Sequence, residues 1–169
     1  MSNLKRLNEA TEHEALTLIE PLIERAPDIA KRVTQRRPFP TIDDLEAAIT
    51  AELMSLSEGA KIDLFNAHPE LGSNKPLEMT LESQNEQGRL NLTSEVSDAT
   101  ARLKELNGLY RKKFGFPFIT AVARHSSISS ILNEFEKRLS GERRGEIDNA
   151  IGQVIHICGT RAIQQFGDH

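Results

Sequence analysis

Two short stretches of the chain carry side chains that could donate or accept a proton, and a third could line a small pocket. His68 stands where an apolar helical pattern ends, directly before a proline. Ser83, Glu86 and Gln87 follow at positions i, i+3 and i+4, so a helix would present all three on one face. A histidine titrates near neutral pH, and a nearby carboxylate can orient it or support its charged form. With the apolar, proline-containing segment 116–119, these side chains predict an acid/base site for a small polar molecule.

Each of these features also has a purely structural explanation. The negative end of a helix dipole favours an imidazole, so His68 could serve helix stability alone. Residues 82–87 are all polar, which fits a solvated helix face equally well. It is their occurrence together, within about fifty residues, that favours chemistry.

Arg161 is the charged residue most at odds with its surroundings. It follows Val154 and Cys158 at gaps of four and three residues on an apolar helical run, so it should point inward. A buried guanidinium needs an anionic or carbonyl partner, because an unpaired buried charge is costly. A structural Glu or Asp and the polar group of a ligand are both open as that partner.

The elements that must position these residues are helical almost throughout. Capping residues and apolar periodicity predict helices that start near Thr11, Pro27, Thr41, Ser57 and Thr80, and helices over about 95–113, 127–139 and 144–166. Pro21 predicts a break in the first of them, and 95–113 is the longest clear one. Residues 116–122 should be extended, since Pro117 disfavours helix at the residue before it. The expected fold class is all-α, a single domain over residues 1–169 with about eight helices, whose longest irregular pieces lie at 67–79 and 114–122.

Length and charge narrow the class of protein. A chain of 169 residues fits one domain and buries roughly 70% of its unfolded surface. The net charge of −4, from 21 basic and 25 acidic residues, offers no basic field for nucleic acid or an anionic membrane. The short basic cluster of Lys31, Arg32, Arg36 and Arg37 is expected to be a solvated face. No run is apolar enough for a membrane span or a signal peptide, so we expect a cytoplasmic location.

Cysteine and histidine usage argues against two further kinds of site. Cys158 is the single cysteine and lies in an apolar run, so we expect a buried, unreactive thiol rather than a nucleophile. We expect no metal site, because the other histidines lack ligand spacing with cysteine or carboxylates: His13, His125, His156 and His169.

Five motifs occur in a fixed order along nearly the whole chain. They are Arg37-Pro38-Phe39, Ala67-His68-Pro69 followed by Leu71-Gly72, Ser83-x-x-Glu86-Gln87, Asn107-x-x-Tyr110-x-x-Lys113-Phe114-Gly115-Phe116-Pro117-Phe118, and Arg161. This ordered set resembles the OHCU decarboxylase family. Its members remove the carboxylate of 2-oxo-4-hydroxy-4-carboxy-5-ureidoimidazoline, a product of urate oxidation and hydrolysis, to give (S)-allantoin.

The resemblance implies roles for particular residues. It places the acid/base histidine of the family on His68, and the essential glutamate and arginine on Glu86 and Arg161. It places substrate contacts on Pro69, Ser83, Gln84, Asn85, Gln87, Phe118, Ile119, Thr120, Ala121 and Val122. Members of this family are all-helical, use no cofactor or metal, and are commonly homodimers, so the expected partners are a small-molecule substrate and a second copy of the chain.

The chemistry of such a decarboxylation agrees with these residue types. The electron pair left behind can move into the adjacent C=N bond of the substrate, so no cofactor is required. The protein must orient the carboxylate and deliver one proton to one face, which suits His68. Glu86 beside it would fix the tautomer of the ring, while Arg161 and Gln87 would donate hydrogen bonds to the substrate.

Two other interpretations stay open at this point. A non-catalytic helical interaction module would use His68 and Glu86 for structure alone and would show an exposed apolar groove. Another ureide-ring enzyme, a hydrolase or a racemase, is disfavoured because the sequence lacks metal ligands and a cysteine pair. The decarboxylase interpretation instead predicts one buried pocket between the 67–72 turn, the 81–90 helix, the 116–122 segment and the last helix.

Overall fold

The computed structural model describes residues 2–72, 80–90 and 98–167, and the part of the chain that it describes is helical without strands. The α-helices are α1 (Asn3–Glu9), α2 (Glu12–Ile19), α3 (Pro27–Thr34), α4 (Ile42–Met54), α5 (Glu58–Ala67), α6 (Leu81–Gly88), α7 (Asp98–Phe114), α8 (Ile128–Leu139) and α9 (Arg143–Phe166). Within the ranges described, 3-10 turns cover Glu20–Leu22 and Val122–Arg124. The prediction of an all-α fold is therefore confirmed. The helix that the sequence did not reveal is α1, which has only seven residues and buries one of them, Leu7.

Short polar side chains define where the helices begin. Thr11 caps α2 and Thr41 caps α4, and in each case an acidic residue three positions later bonds back to the cap. Ser57 and Thr80 cap α5 and α6 through the backbone N–H three residues on. Such caps satisfy N–H groups that have no partner inside the helix, which is why the predicted starts are confirmed. The break expected at Pro21 is also present, since α2 ends at Ile19.

The longest helix is α9, with 24 residues against 17 in α7, which agrees with the bounds 144–166 predicted for it. Three glycines inside α9 interrupt its apolar period, which made it less conspicuous in the sequence. Residues 95–97 of the expected helix and 73–79 of the expected loop lie outside the described residues. The α9 helix packs against α1, α4, α5 and α7, and thus lies at the centre of the fold. No helix among the described residues is long and apolar enough to cross a membrane.

The basic cluster near the end of α3 is exposed at Lys31, Arg32 and Arg36, as expected, and its arginines also make contacts within the protein. Arg32 and Arg36 both pair with the carboxylate of Glu52 on α4, at 3.0 and 2.8 Å. Arg37, which precedes a cis proline, donates to the carbonyl oxygens of Leu7 and Ala10, both at 2.8 Å. These bonds tie α3 to α4 and to the N-terminal helix.

An aromatic cluster holds the extended segment that follows α7. Gly115 adopts a φ of +82°, which ends α7 and turns the chain toward the core. Phe118 then stacks on Phe135 of α8 with ring centroids 3.8 Å apart, and Tyr110 meets both rings edge-on. Residues 116–121 are non-helical, as predicted, and a 3-10 turn starts at Val122. Aromatic packing of this kind fixes the segment by large buried area and specific ring geometry.

We expect Phe135→Ala to lower the free energy of unfolding by about 3–5 kcal/mol, because it opens a cavity beneath Phe118. Leu109→Ala on the exposed face of α7 is the matched control, and it should change stability by less than about 0.5 kcal/mol. Urea unfolding followed by circular dichroism measures both. Equal losses of unfolding free energy in the two variants would contradict the inference that the aromatic cluster stabilises the fold.

Candidate active site

A small cleft opens where α5 ends, between α6, the 118–122 segment and α9. Its cavity volume is about 30 Å³. Its lining residues are His68, Pro69, Leu71, Ser83, Glu86, Gln87, Phe118, Ile119, Thr120, Val122, Ile157 and Arg161. The predicted pocket is therefore present, formed by the four elements that were expected to form it.

The His68 side chain is buried and has one ring nitrogen already engaged. His68 is the C-cap of α5, since the following proline disfavours further helix, and its Nδ1 lies 2.9 Å from the carbonyl oxygen of Leu64. Only a protonated Nδ1 can donate to a carbonyl, so Nε2 is left as the nitrogen that can accept a proton. Burial lowers the pKa of His68 below its ordinary value, with Arg161 adding to this effect while the Leu64 bond and Glu24 oppose it. The ring is thus a neutral base at neutral pH.

Glu86 does not fix the tautomer of His68, contrary to the expectation from sequence. Its two carboxylate oxygens instead accept from Nε and Nη2 of Arg161, at 2.7 and 3.2 Å. The Leu64 carbonyl, one helical turn before His68, performs the tautomer-fixing function. The reason is local: the end of α5 supplies a free carbonyl to His68, whereas Arg161 reaches Glu86 from α9 with a geometry that suits a bidentate pair.

Arg161 is buried, as predicted, with 5% of its surface exposed. Besides Glu86, its guanidinium donates from Nη1 to Glu24 at 3.1 Å and to the Pro21 carbonyl at 3.2 Å, and from Nη2 to Ser83 at 3.4 Å. Burial alone would lower the pKa of Arg161, but the two carboxylates outweigh it and hold that pKa above its ordinary value. A structural carboxylate, one of the two partners left open by the sequence, is therefore present, and there are two of them.

Glu24 is the functional candidate that the sequence did not reveal. It is 2% exposed, and its Oε2 accepts from Thr80 at 2.8 Å, Ser83 at 2.9 Å and Arg161 at 3.1 Å. Its Oε1 is buried and has no hydrogen-bond partner within residues 2–72, 80–90 and 98–167. Burial acts to raise the pKa of Glu24, but Arg161 and the two hydroxyls prevail and lower it. No local pattern marks this residue, because its partners are far away in sequence.

The inward face of α6 is the one that the spacing predicted. Ser83, Glu86 and Gln87 all line the cleft, and Gln87 Oε1 accepts from the Gly72 backbone N–H at 2.8 Å. Gln84 and Asn85 do not line it, because they lie on other faces of the helix. Gln87 thus has one structural bond to the 67–72 turn in addition to its place in the wall.

Side chains from several helices pin the backbone of the 118–122 segment. Arg138 Nη1 donates to the Ile119 carbonyl at 2.8 Å, and Gln153 Oε1 accepts from the Ala121 N–H at 3.0 Å. Arg89 Nη2 donates to the Val122 carbonyl at 2.7 Å. Phe118, Ile119, Thr120 and Val122 line the cleft, whereas Ala121 is buried outside its wall.

The structure brings ten of the thirteen sequence-predicted site residues into one cleft, all except Gln84, Asn85 and Ala121. Leu71 and Ile157 were not expected there. Ile157 lies one helical turn before Arg161, so the spacing could have identified it. Leu71 lies in the turn after His68, where no helical or strand period predicts which way a side chain points.

Two other groups of titratable residues lie outside the chemistry of the cleft. Cys158 is buried, as predicted, and burial raises the pKa of its thiol to about 12, which makes it unreactive. Among the described residues, no three His, Cys, Asp or Glu side chains are arranged to hold a metal ion. His125 instead bonds to Ser130 and Glu134, at 2.7 and 2.8 Å.

Comparison with known proteins identifies the family. A profile of the family described as OHCU decarboxylase matches residues 8–163. The 2-oxo-4-hydroxy-4-carboxy-5-ureidoimidazoline decarboxylase of Mus musculus is 32% identical over 169 residues, covering 99% of this chain and 94% of its own length. A crystal structure of (S)-allantoin synthase has a TM-score of 0.77 and 24% identity, over 96% of this chain and 53% of its own.

A second structural neighbour has the same fold. It is a crystal structure of OHCU decarboxylase in the presence of (S)-allantoin, with a TM-score of 0.69 and 23% identity, over 83% of this chain and 92% of its own. At these identities the two structures establish the likeness of fold, while the family profile and the mouse relative establish descent. The chain therefore belongs to the OHCU decarboxylase family.

Proposed function

We propose that this protein decarboxylates 2-oxo-4-hydroxy-4-carboxy-5-ureidoimidazoline to (S)-allantoin in urate degradation, without a cofactor. The observation that carries the proposal is a neutral, buried His68 whose free nitrogen shares a cleft with the Arg161–Glu86 pair. Membership of the OHCU decarboxylase family supports the same reaction.

The proposed reaction balances with one proton from solvent. The bond from the carboxylate to ring carbon C4 breaks, CO2 leaves, and the electron pair moves through C5 to the nitrogen of the adjacent C=N bond. That nitrogen takes a proton from solvent. The C4 hydroxyl then loses its proton and becomes a carbonyl, while C5 gains a proton and becomes the stereocentre of allantoin. The substrate itself is the electron sink, which is why the proposal includes no cofactor.

His68 is proposed to move the proton between these two neighbouring atoms. A neutral Nε2 can accept the hydroxyl proton and return it to C5 on the same face of the ring. Because Nδ1 is held by the Leu64 carbonyl, the ring cannot turn over between the two steps. Delivery from one side would produce one enantiomer, (S)-allantoin.

Arg161 and Glu86 are proposed to act as one unit that recognises the polar edge of the substrate. The guanidinium donates from Nε and Nη2 to Glu86 and from Nη1 to Glu24 and Pro21. A substrate oxygen must therefore compete with or share these bonds. Glu86, one quarter exposed at the cleft, is the partner that can also accept from substrate N–H groups.

The remaining contacts are proposed to orient the ring. Pro69 and Phe118 supply apolar contact, Ser83 and Gln87 supply polar side chains, and Ile119, Thr120 and Val122 supply backbone groups. Gln84, Asn85 and Ala121 lie beside this set rather than in the wall, and we propose that they support it. The interaction-module alternative expected an exposed apolar groove, and a cleft on which His68, Glu86 and Arg161 converge favours the enzyme instead.

We further propose that the protein works as a homodimer in the cytoplasm, as the family resemblance implies. Light scattering after size-exclusion chromatography measures the mass directly. A mass near that of one 18.9 kDa chain at micromolar concentration would contradict the dimer.

The test of the reaction generates the unstable substrate in situ. Urate is oxidised and the hydroxyisourate hydrolysed by separate enzymes, and the purified protein is added with and without EDTA. Faster loss of the substrate signal and a product that is (S)-allantoin support the proposal. Racemic allantoin formed at the spontaneous rate would refute it, and activity lost on chelation and restored by one metal would refute the cofactor-free mechanism.

His68→Ala should lower kcat by about 10²–10⁴-fold, because it removes the group that carries the proton. The product should become racemic as spontaneous decay takes over. His156→Ala is the matched control, since His156 is an exposed histidine on α9 away from the cleft, and it should leave rate and chirality unchanged. Unaltered (S)-allantoin production by His68→Ala would show that another residue delivers the proton.

Glu86→Gln and Arg161→Lys should each weaken binding of (S)-allantoin, and their effects should not add, because the two side chains share a bidentate bond. Residues in direct contact couple by about 0.5–3 kcal/mol. Isothermal titration calorimetry on both single variants and the double variant measures this coupling. The pair His68→Ala and Glu86→Gln is the control, and it should be nearly additive. Additivity of Glu86→Gln with Arg161→Lys would show that the pair does not act as a unit.

A further inference from the structure

Glu24 combines complete burial with a position just outside the cleft wall. Its side chain has no exposed surface, yet it is a carboxylate with one oxygen, Oε1, unpartnered among the described residues. An ionised buried group of this kind is costly unless its bonds are good ones. Three donors converge on its other oxygen, Oε2, from Thr80, Ser83 and Arg161. We propose that Glu24 is a positioning residue, which joins α6 to α9 and holds Ser83 and Arg161 in their orientation toward the substrate.

The three donors come from the two helices that carry the polar wall of the cleft. Thr80 is the N-cap of α6 and Ser83 is on its first turn, whereas Arg161 is on α9. The Ser83 hydroxyl donates to Glu24 and accepts from Arg161, so its one proton is committed by this arrangement. Without the carboxylate, Ser83 could turn its proton elsewhere, and Nη1 of Arg161 would keep only the Pro21 carbonyl of its two partners. Both changes would occur in the wall, although Glu24 itself does not line it.

The backbone beside Glu24 is held in an unfavourable conformation. Arg25 has a φ of +46°, in the left-handed region that a residue with a side chain rarely adopts. Such conformations persist where the surrounding structure over-determines them. The turn between Pro21 and Pro27 is thus shaped so that the Glu24 carboxylate points inward, which agrees with a positioning role.

The negative charge of Glu24 also acts on the His68 ring. The charged groups that act on His68 are Glu24, which favours the protonated ring, and Arg161, which disfavours it. Replacing Glu24 with glutamine removes the negative charge that favours the protonated ring. It also leaves the positive charge of Arg161 less neutralised. Both consequences favour the neutral ring, so the titration of His68 should move to lower pH. A purely structural glutamate elsewhere would not move it.

The matched control is Glu52, a buried glutamate that pairs with arginine side chains away from the cleft. It accepts from Arg32 and Arg36 and is not part of the cleft wall. Glu52→Gln therefore imposes the same loss of a buried carboxylate without touching Thr80, Ser83 or Arg161. It should lower the melting temperature and leave His68 unaffected.

The test measures His68 directly, by NMR titration of histidine labelled with ¹³C and ¹⁵N, in the wild type, Glu24→Gln and Glu52→Gln. We expect the His68 midpoint to move to lower pH in Glu24→Gln only. The activity arm rests on the proposed function: kcat/KM should fall about 10- to 100-fold in Glu24→Gln, since a misplacement of about 1 Å can cost about 10²-fold. The NMR arm needs no substrate, so an inactive wild type would refute the proposed function and leave the test of Glu24 intact.

Glu24→Asp separates positioning from charge and serves if Glu24→Gln does not fold. It keeps the negative charge but withdraws it by one methylene, so the His68 titration should stay near that of the wild type while kcat/KM falls. A wild-type kcat/KM in Glu24→Asp would overturn the positioning role. Identical His68 midpoints and activity in wild type and Glu24→Gln would overturn it as well.

Discussion

The burial of one guanidinium constrains most of this site. Arg161 lies inside the protein with 5% of its surface exposed, and a buried cation must find negative partners because water cannot screen it. Glu86 from α6 and Glu24 from the turn after α2 provide them, and Pro21 and Ser83 complete its set of acceptors. These partners come from two separate parts of the chain, residues 21–24 and α6, so Arg161 links both of them to α9.

A second buried arginine, Arg138, is also stabilised by a buried carboxylate, and it supports the 118–122 segment of the cleft wall. Arg138 pairs with Glu146, which also accepts from the Tyr110 hydroxyl at 2.6 Å, and its guanidinium lies 4.4 Å from the centre of the Phe118 ring. Burial and Glu146 together raise the pKa of Tyr110, so its hydroxyl remains a donor. Glu146 and Arg161 are both on α9, about 22 Å apart at 1.5 Å per residue. A single helix, α9, therefore carries one member of each network.

Local chemistry in the sequence predicted the helix starts and the working face of α6. Thr80 marked the beginning of that helix, and the i, i+3, i+4 spacing identified Ser83, Glu86 and Gln87 as neighbours. Gln84 and Asn85 were included by family likeness alone, and the helical period places them outside the wall. Glu24 was beyond reach, because its partners are 56, 59 and 137 residues away and no local pattern signals such contacts. The wrong partner expected for His68 has a different cause: the bond of its ring to the Leu64 carbonyl, four residues earlier, is a side-chain-to-backbone contact that residue types do not signal.

The charges around Arg161 have a consequence for any anion that enters. Two carboxylates, Glu24 and Glu86, face one guanidinium, and His68 is neutral, so these four groups together carry an excess of one negative charge. A carboxylate brought among them meets repulsion from Glu24 and Glu86 that is only partly offset by Arg161, in a region where low polarisability strengthens such forces. Departure of that carboxylate as CO2 removes a charge from this crowded place and relieves the repulsion. The two carboxylates that stabilise the buried Arg161 thus also favour decarboxylation, because that step removes the negative charge of the substrate.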